Sequence, residues 1–590
     1  MRKFWIVFIV IAVLFVGGLG LLWKAATSFE EPVAEGSVLR WTAIGPFGES
    51  APDGFLEQLQ AGDEATLGEL VFGLKRAAED PQIEAVVLDL RGVQVNWAQL
   101  EEIRGAVQRF RDAGKTVWAY IEAGGNADYA IATAADRIAM APEGSLMVLG
   151  VAAELAFFRE TLAKVGIEAD FLHVGKYKSA PEQFTRDEAS DANREMTTSL
   201  VEERYELLVE VIAAGRGRSP ETVRQWIDLG LYDGETALAA GLVDTLLDVE
   251  DLVTEIYPED DVADLTDYVR RRHRGHAEHE IALIVAEGTI YPGESRRDNF
   301  QGRVLGSDTL VDRLEQARED DDIDAVLLRV HSPGGSALAS DLIWRAVARV
   351  REDKPVVVSM GGYAASGGYY IACGADSIFA DAGTLTGSIG VFAGKLDWSG
   401  LYDKLGIHRE FITRGENALL WHDSGGFTPA QRELFQRQLD GFYERFLAKV
   451  AQGRRLSRDE VHAVAQGRVW TGSQAVEIGL VDGIGDLDRA LSAVKAMLGV
   501  APDAKVVVHT YAKPLSWLER TMLDALRSRA GALWRAQSEA PSAALPPPLA
   551  ASARALYRAG LADALPLLDG RPLALMPWRE VEPRGGSALP

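Results

Sequence analysis

Short apolar runs alternate along the chain with longer segments whose apolar residues recur every three or four positions. In residues 281–360 the runs are IALIVAEGTI, IDAVLLRV and KPVVVSM, and the segments between them are SDTLVDRLEQARED and ASDLIWRAVARVRED. The runs have the length and composition of buried strands, and the segments between them are typical of amphipathic helices. Units of this kind form parallel sheets with right-handed crossovers. The pattern predicts an α/β fold.

This pattern occurs twice, because whole stretches of sequence recur at a fixed distance. EAVVLDL recurs as DAVLLRV, and YAIATAADRIAMAPEGSLMVLG at Tyr129 recurs as YYIACGADSIFADAGTLTGSIG at Tyr369, both 240 residues later. The motif GLVD also recurs, after a slip of two residues. Repetition on this scale indicates duplicated structural units. We infer two tandem domains, a front half at 37–258 and a rear half at 280–498.

The segments outside the two halves have a different character. Residues 259–279 are charged and contain few large apolar side chains, which predicts an exposed linker. Residues 499–590 form a C-terminal extension that includes the low-complexity stretch SEAPSAALPPPL. The sequence assigns no role to this extension.

The amino terminus contains an uncharged apolar stretch at 4–23, FWIVFIVIAVLFVGGLGLLW. As a helix it would span about 30 Å, the thickness of the hydrocarbon layer. Arg2 and Lys3 precede it, which predicts a cytoplasmic terminus at 1–3 and an external body after a linker at 24–36. A cleaved signal peptide is the alternative, but the run is longer than usual and no A-x-A site follows. We therefore expect a single transmembrane anchor.

Composition and charge exclude several classes of function. The 61 lysines and arginines against 87 acidic residues give a net charge of −26, which is unsuited to binding a phosphate backbone. A single cysteine permits no internal disulfide. Neither CxxC nor HExxH occurs. We expect no nucleic-acid partner, no metal and no cofactor.

Ser366 lies among small residues in GGYAASGGYYIACGAD, between a predicted strand and a predicted helix. A serine at such a junction is often a helix cap. It is also the position of a nucleophile held at a strand-to-helix turn. Taken alone, this stretch favours the cap.

The repeat provides an internal comparison that changes this interpretation. The rear half has two serines and a glycine pair that the front half lacks, and the front half has two lysines that the rear half lacks. The equivalent positions are Asn126 for Ser366, Val148 for Ser388, 92–95 for the SPGG stretch at 332–335, Ala418 for Lys178 and Glu416 for Lys176. Asparagine caps as well as serine does, so capping does not explain the difference. The pattern favours a Ser–Lys pair divided between the halves, with divergence by drift as the alternative.

Four motifs in this order resemble those of the signal peptide peptidase A family, long form, which comprises membrane-anchored bacterial serine proteases of the S49 type. They are GKYKSAPEQF, LRVHSPGGS, YAASGGYYIA and LTGSIGV, and the similarity extends over nearly the whole chain. The resemblance implies two ClpP/crotonase-like domains, a bowl-shaped homotetramer and hydrolysis of cleaved signal peptides. It also implies an inner-membrane location with the body facing the periplasm.

The same resemblance implies a role for each serine and lysine. Ser366 would be the nucleophile, Lys178 the general base and Ser388 the hydroxyl that orients the lysine. The family often has Asn before SPGG, where this chain has His331. A Ser–His pair is thus an alternative, but we expect His331 to support the backbone or the packing.

The proposed chemistry places demands on the surroundings of Lys178. A free lysine has a pKa of about 10.4 and is protonated at neutral pH, so it must be buried away from carboxylates to act as a base. Glu182 is close in sequence and is expected to point away. Lys176 is the alternative base, although the YKS context favours Lys178.

The oxyanion of the tetrahedral intermediate needs two N–H donors. Gly367 directly follows the nucleophile at a helix start, and Gly334 or Gly335 in SPGG could supply the second donor, since glycine permits close backbone approach.

Two other functions remain open from the sequence. A crotonase-type acyl-CoA enzyme would share the fold and the oxyanion hole, but would need neither an anchor nor a divided Ser–Lys pair. A non-catalytic membrane scaffold would not retain all the candidate groups. The sequence also leaves open whether Ser366 meets Lys178 within one chain or between subunits.

Overall fold

The computed structural model describes residues 34–50, 65–257, 262–270, 278–298 and 302–511, and the backbone of two short strands at 573–575 and 580–581. The predicted transmembrane segment at 4–23 and its flanking residues up to 33 lie outside the described residues. Within the described ranges, no helix combines the length and the apolar character needed to cross a bilayer.

The front half and the segment after it contain nine strands and ten helices among the described residues. The strands are β1 (Ser37–Pro46), β2 (Ile83–Gln94), β3 (Thr116–Gly124), β4 (Arg137–Met147), β5 (Ala152–Ala153), β6 (Glu168–Val174), β7 (Leu231–Asp233), β8 (Thr245–Leu246) and β9 (Val262–Asp264). The helices are α1 (Leu67–Glu79), α2 (Trp97–Asp112), α3 (Asn126–Ala132), α4 (Arg159–Val165), α5 (Glu182–Thr185), α6 (Asp191–Arg216), α7 (Pro220–Leu229), α8 (Gly234–Ala240), α9 (Val249–Ile256) and α10 (Leu265–Arg270).

The rear half repeats the main strands and helices of this order with additional short strands between them, and further short strands follow it. The strands are β10 (Glu280–Glu287), β11 (Thr289–Tyr291), β12 (Arg296–Asp298), β13 (Gly302–Gly306), β14 (Ile323–Ser332), β15 (Gly334–Ser336), β16 (Val356–Ala365), β17 (Ser377–Ala380), β18 (Leu385–Gly387), β19 (Val391–Asp397), β20 (Val469–Thr471), β21 (Gly483–Ile484), β22 (Val507–Thr510), β23 (Leu573–Leu575) and β24 (Glu580–Val581). The helices are α11 (Ser307–Glu319), α12 (Ala337–Asp353), α13 (Gly367–Ala372), α14 (Ser399–Lys404), α15 (Pro429–Arg454), α16 (Arg458–Val464), α17 (Gly472–Glu477) and α18 (Leu487–Met497).

Each half is built on a largely parallel sheet, as the βαβ pattern predicts. The front sheet has the order β7-β4-β3-β2-β1-β9, and the rear sheet has the order β20-β18-β16-β14-β10-β22. The central strands are parallel to their neighbours, and β7 and β20 are antiparallel at the edges. Their apolar side chains are buried, since helices pack on the sheets and cover the alternating faces. The mixed α/β architecture is therefore confirmed.

A third sheet joins the two halves and determines where their side chains meet. Its order is β12-β13-β11-β15-β23-β19-β6, so β6 of the front half is a strand in a sheet of the rear half. Strand β6 is antiparallel to β19 with Val174 opposite Val391 and Glu168 opposite Asp397. The residues that follow Val174 therefore run towards the residues that precede Val391.

Two predicted boundaries are wrong. The segment 259–279, expected to be an exposed linker, supplies β9 beside β1 and helix α10. Leu265, Tyr268 and Val269 of α10 are buried, because their helical spacing gives this charged segment an apolar face. The rear half also extends past its predicted end at 498, since β22 pairs in parallel with β10.

A buried cluster of charges joins β14 of the rear half to the front half. The Arg329 guanidinium lies 2.9 Å from Glu49 Oε2 and 2.5 Å from Glu102 Oε1, and all three side chains are almost inaccessible. Burial opposes ionisation of Glu49, but the charge of Arg329 and the hydrogen bonds from Arg329 and Gln99 hold its pKa below the ordinary value. Burial raises the pKa of Glu102 to about 7, and that of Asp381 well above its usual range. One buried cation is thus balanced by one carboxylate, and the other acids favour their protonated forms.

Candidate active site

Ser366 occupies the turn between strand β16 and helix α13. Its backbone has φ 55° and ψ −111°, a left-handed conformation that is uncommon and strained for a residue with a side chain. Its hydroxyl makes no capping hydrogen bond to α13. The helix-cap interpretation is therefore wrong, and the turn instead directs the hydroxyl away from the helix.

Ser388 is brought beside Ser366 by strand pairing. Strand β18 is parallel to β16 with Gly387 opposite Ala365, and the Ser366 N–H donates to the Gly387 carbonyl at 2.8 Å. Ser388 follows directly, also with a positive φ, of 51°. Both serines are fully buried.

Lys178 reaches the two serines from the front half of the same chain, because β6 and β19 are antiparallel. Its Nζ lies 2.7 Å from Ser366 Oγ, 3.0 Å from Ser388 Oγ and 3.1 Å from the Ser388 carbonyl oxygen. The side chain is 1% exposed. The three side chains predicted from the repeat are thus together, within a single chain.

Burial lowers the pKa of the Lys178 amine well below the ordinary lysine value. The nearby Glu182 does not oppose this effect, since its carboxylate accepts the Ser190 N–H at 3.0 Å and an Asn193 side-chain N–H at 3.1 Å. A neutral amine has two N–H donors and one lone pair. The two oxygens of Ser388 can accept the two donors, which leaves the lone pair to accept the Ser366 hydroxyl proton.

The two alternative partners for Ser366 lie elsewhere. Lys176 is exposed, and its Nζ lies 3.2 Å from the Tyr177 hydroxyl and 3.7 Å from Glu195. His331 Nδ1 accepts the Gly362 N–H at 3.1 Å, and its ring packs against Tyr363. His331 therefore supports the backbone of β16.

The predicted oxyanion glycines converge next to Ser366. A Cβ on Gly367 would lie 3.1 Å from Gly334 Cα and 3.1 Å from Gly335 N, so glycine lets the two backbones approach. Gly367 is the first residue of α13, where N–H groups lack intrahelical partners. The Gly334 N–H donates to Ser332 Oγ at 3.2 Å, and Gly335 lies in β15 opposite Ile290 of β11 and Ala574 of β23, so both glycines stay candidates for the second donor.

The corresponding place in the front half is closed by its own side chains. Asp128 accepts the N–H groups of Gly92 at 3.0 Å, Val93 at 2.9 Å and Gly125 at 2.9 Å. Asn126, at the position of Ser366, donates to the Gly150 carbonyl at 2.6 Å. The role of Asp128 was not predicted, although a carboxylate stands there where the rear half has a glycine.

In the described part of the chain, no group of three or more His, Cys, Asp or Glu side chains is arranged to hold a metal ion.

Comparison with known proteins identifies relatives that match most of the chain. A model of "Peptidase family S49" matches residues 109–263 and 348–501, one segment in each half. The chain is 32% identical to "Serine protease SPPA, chloroplastic" of Arabidopsis thaliana over 82% of this chain and 72% of that protein. It is 33% identical to "Protease 4" of Haemophilus influenzae over 74% of each.

Solved structures give a weaker match. "ClpP1 from Listeria monocytogenes" covers 35% of this chain and 91% of its own, with 17% identity and a TM-score of 0.22. The assignment therefore rests on the sequence relatives and on the two family segments. By these the chain belongs to peptidase family S49 and is a serine protease, with the two tandem repeats expected of the long form of signal peptide peptidase A.

Proposed function

We propose that the chain is a membrane-anchored serine endopeptidase that cuts with a Ser366–Lys178 dyad. Its substrates are cleaved signal peptides and other small apolar peptides on the periplasmic side of the inner membrane. The observation that carries the proposal is the 2.7 Å separation of Lys178 Nζ and Ser366 Oγ at a site where burial favours the neutral amine. A serine needs such a base to become a nucleophile.

The geometry supports the following reaction sequence. The Ser366 hydroxyl gives its proton to Lys178 Nζ while Oγ bonds to the peptide carbonyl carbon. The carbonyl electron pair moves to oxygen, where the N–H groups of Gly367 and of Gly334 or Gly335 stabilise the negative charge. The intermediate collapses, and the leaving amine takes the proton from Nζ. A water, deprotonated by Nζ, then hydrolyses the ester on Ser366 and restores both groups.

The direct test is peptide hydrolysis by the full-length chain and its variants. We expect Ser366→Ala and Lys178→Met to reduce kcat by at least 100-fold, on the order of the contribution of a general base. Lys176→Met is the matched control and should leave kcat unchanged, since that lysine is exposed and away from the serines. If Ser366→Ala and Lys178→Met both turned over the peptide as fast as the parent chain and Lys176→Met, the dyad would be refuted.

Labelling with a fluorophosphonate separates the alternatives. A serine protease is labelled at Ser366, and the labelling requires Lys178. An acyl-CoA enzyme would hydrolyse or isomerise a thioester without Ser366 being labelled. A scaffold would show neither reaction.

The membrane location is proposed from the apolar stretch at 4–23 and the basic residues before it. A chain truncated before residue 24 should leave the membrane fraction while it retains its peptidase activity. Retention of the truncated chain in an alkali-washed membrane pellet would contradict this anchor.

A homotetramer is proposed as well, and the repeat supplies an argument for head-to-tail contacts. Ile389 and Val469 of the rear half are buried, and Val469 is covered by side chains of helix α6. Their front-half equivalents, Leu149 and Leu231, are exposed. A second copy can cover this patch with the exposed apolar residues at 405–421, and such contacts close into rings. Sedimentation of Leu231→Glu tests this, because a charge there should dissociate the assembly.

A further inference from the structure

The loop between α16 and β20 holds the lysine segment and the Ser388 segment together. The Gln466 carbonyl accepts the Tyr177 N–H at 2.8 Å. The Gly467 N–H donates to the Ile389 carbonyl at 2.8 Å, and the Arg468 carbonyl accepts the Ser388 N–H at 2.7 Å. Three consecutive residues thus bind the backbone next to the base on one side and next to the orienting hydroxyl on the other.

Gly467 lies where no side chain fits. Its φ is +80°, and a Cβ would lie 2.5 Å from Lys178 N, 2.7 Å from Lys178 Cα and 2.6 Å from Lys178 Cβ. Gly175 packs against the same loop from the opposite side, because a Cβ there would lie 2.4 Å from the Gln466 carbonyl carbon. The lysine segment and the loop are therefore in direct backbone contact through two glycines.

The front half shows which part of this arrangement is specific to the lysine. There the Val148 N–H donates to the Gly230 carbonyl at 2.9 Å, which is the equivalent of the bond from Ser388 to Arg468. The residue at the place of Gly467 is Leu229, whose side chain is 68% exposed. Both halves thus keep the bond, but the half that receives no lysine segment accommodates a leucine.

We propose that Gly467 is a positioning residue of the Ser–Lys pair. It lets the loop approach Lys178 closely enough to fix the lysine Nζ against Ser366 and Ser388 and to keep water from the amine. This inference rests on the proposed dyad, and it concerns how the dyad is held rather than whether it reacts.

The substitution Gly467→Ala should displace the lysine segment, because the alanine Cβ cannot lie 2.5 Å from Lys178 N. A displacement of about 1 Å at reacting groups can cost roughly 100-fold in rate. Water that reaches the displaced amine would stabilise its charged form and raise its pKa. We expect kcat at pH 7 to fall about 100-fold with KM nearly unchanged. We also expect the pH at which the rate increases to shift upward by about one unit or more.

The matched control is Gly479→Ala. Gly479 has φ +76°, nearly the same as Gly467, but its added Cβ would only touch the Leu456 methyl groups at 3.8 and 3.9 Å. It therefore introduces the same backbone strain without contact with Lys178. Leu229→Gly is the reciprocal change in the front half, and neither control should alter the pH profile.

The experiment measures the rate at which a fluorophosphonate labels Ser366 between pH 6 and pH 10 in the full-length chain, together with peptide kinetics. Labelling that is lost in Lys178→Met tests the proposed function by itself, and an unreactive Ser366 would overturn both proposals. Given a reactive serine, an upward shift of the pH profile in Gly467→Ala but not in Gly479→Ala supports the positioning role. The positioning role is overturned if the pH profile of Gly467→Ala is unshifted, or if Gly467→Ala and Gly479→Ala lose the same amount of labelling rate.

A second variant covers the case in which Gly467→Ala does not fold. Gly175→Ala presses on the same loop from the lysine side, so it should shift the profile in the same direction. An unshifted profile in a folded Gly175→Ala chain would equally overturn the inference.

Discussion

Replacing Lys178 with methionine should stabilise the folded chain, by an amount that depends on pH. A lysine whose folded pKa is lowered binds fewer protons in the folded state than in the unfolded state. Its burial therefore costs stability at neutral pH, and the cost disappears as the pH rises towards the ordinary pKa of 10.5. Methionine has a similar length and carries no proton, so it removes this cost.

The size of the pH-dependent stabilisation follows from the protonation of Lys178 alone. If the amine is neutral in the folded protein at pH 7, the cost equals the free energy of removing a proton at pH 7 from an amine whose pKa is 10.5. Each unit corresponds to about 1.4 kcal/mol, which gives about 5 kcal/mol at pH 7 and about 2 kcal/mol at pH 9. Lost hydrogen bonds and altered packing add a term that does not change with pH. The quantity to measure is therefore the slope of the difference in unfolding free energy against pH, rather than its absolute value.

The assay compares urea unfolding of Ser366→Ala with that of Ser366→Ala/Lys178→Met, so that neither chain can digest itself. The difference in unfolding free energy should fall by about 1.4 kcal/mol per pH unit between pH 7 and pH 10, the signature of one proton. A difference that stays constant over this range would mean that the folded chain keeps Lys178 charged. The reasoning about a neutral base would then be refuted.

Three further changes test the surroundings of the site. Ser388→Ala removes one acceptor of the Lys178 amine, and peptide kinetics should show a fall of kcat of at least about tenfold with little change in KM. Arg329→Met leaves the ionised Glu49 buried without its partner, and urea unfolding at pH 6 should show a loss of about 3–5 kcal/mol. Glu102→Gln should stabilise the chain by up to about 3 kcal/mol at pH 8 and by nothing near pH 4.5, since a pKa raised to about 7 makes the carboxylate costly as the pH rises between these values. An equal effect of Glu102→Gln at both pH values would contradict this account.

The sequence was sufficient to predict the α/β pattern, the two halves and the residues that meet at the site. The decisive signal was the difference between the copies, because Ser366 and Lys178 each stand where the other copy has an unrelated residue. Taken alone, the predicted strand-to-helix junction favoured the wrong interpretation of Ser366 as a cap, because serine is a common cap. The strained turn that excludes capping is a property of the backbone, and a single serine does not reveal it.

The remaining features depend on contacts between segments that are distant in the chain. Whether Lys178 reaches Ser366 in the same chain is decided by the pairing of β6 with β19, which no local pattern indicates. The loop around Gly467 contacts the lysine segment and the Ser388 segment through its backbone, so the residue types in this loop do not predict these contacts. The apolar face of α10 was present in the sequence, but the surrounding charges obscured it.

The strand that the front half contributes to a sheet of the rear half has a consequence for the timing of biosynthesis. Lys178 precedes Ser366 by 188 residues, so at ordinary rates of translation the lysine leaves the ribosome about 10–40 s before the serine. Even after Ser366 has been made, its hydroxyl and the Lys178 amine stay apart until β19 has been translated and has paired with β6. On the proposed mechanism a nascent chain therefore has no peptidase activity, because the hydroxyl and the amine meet only when β19 has docked on β6.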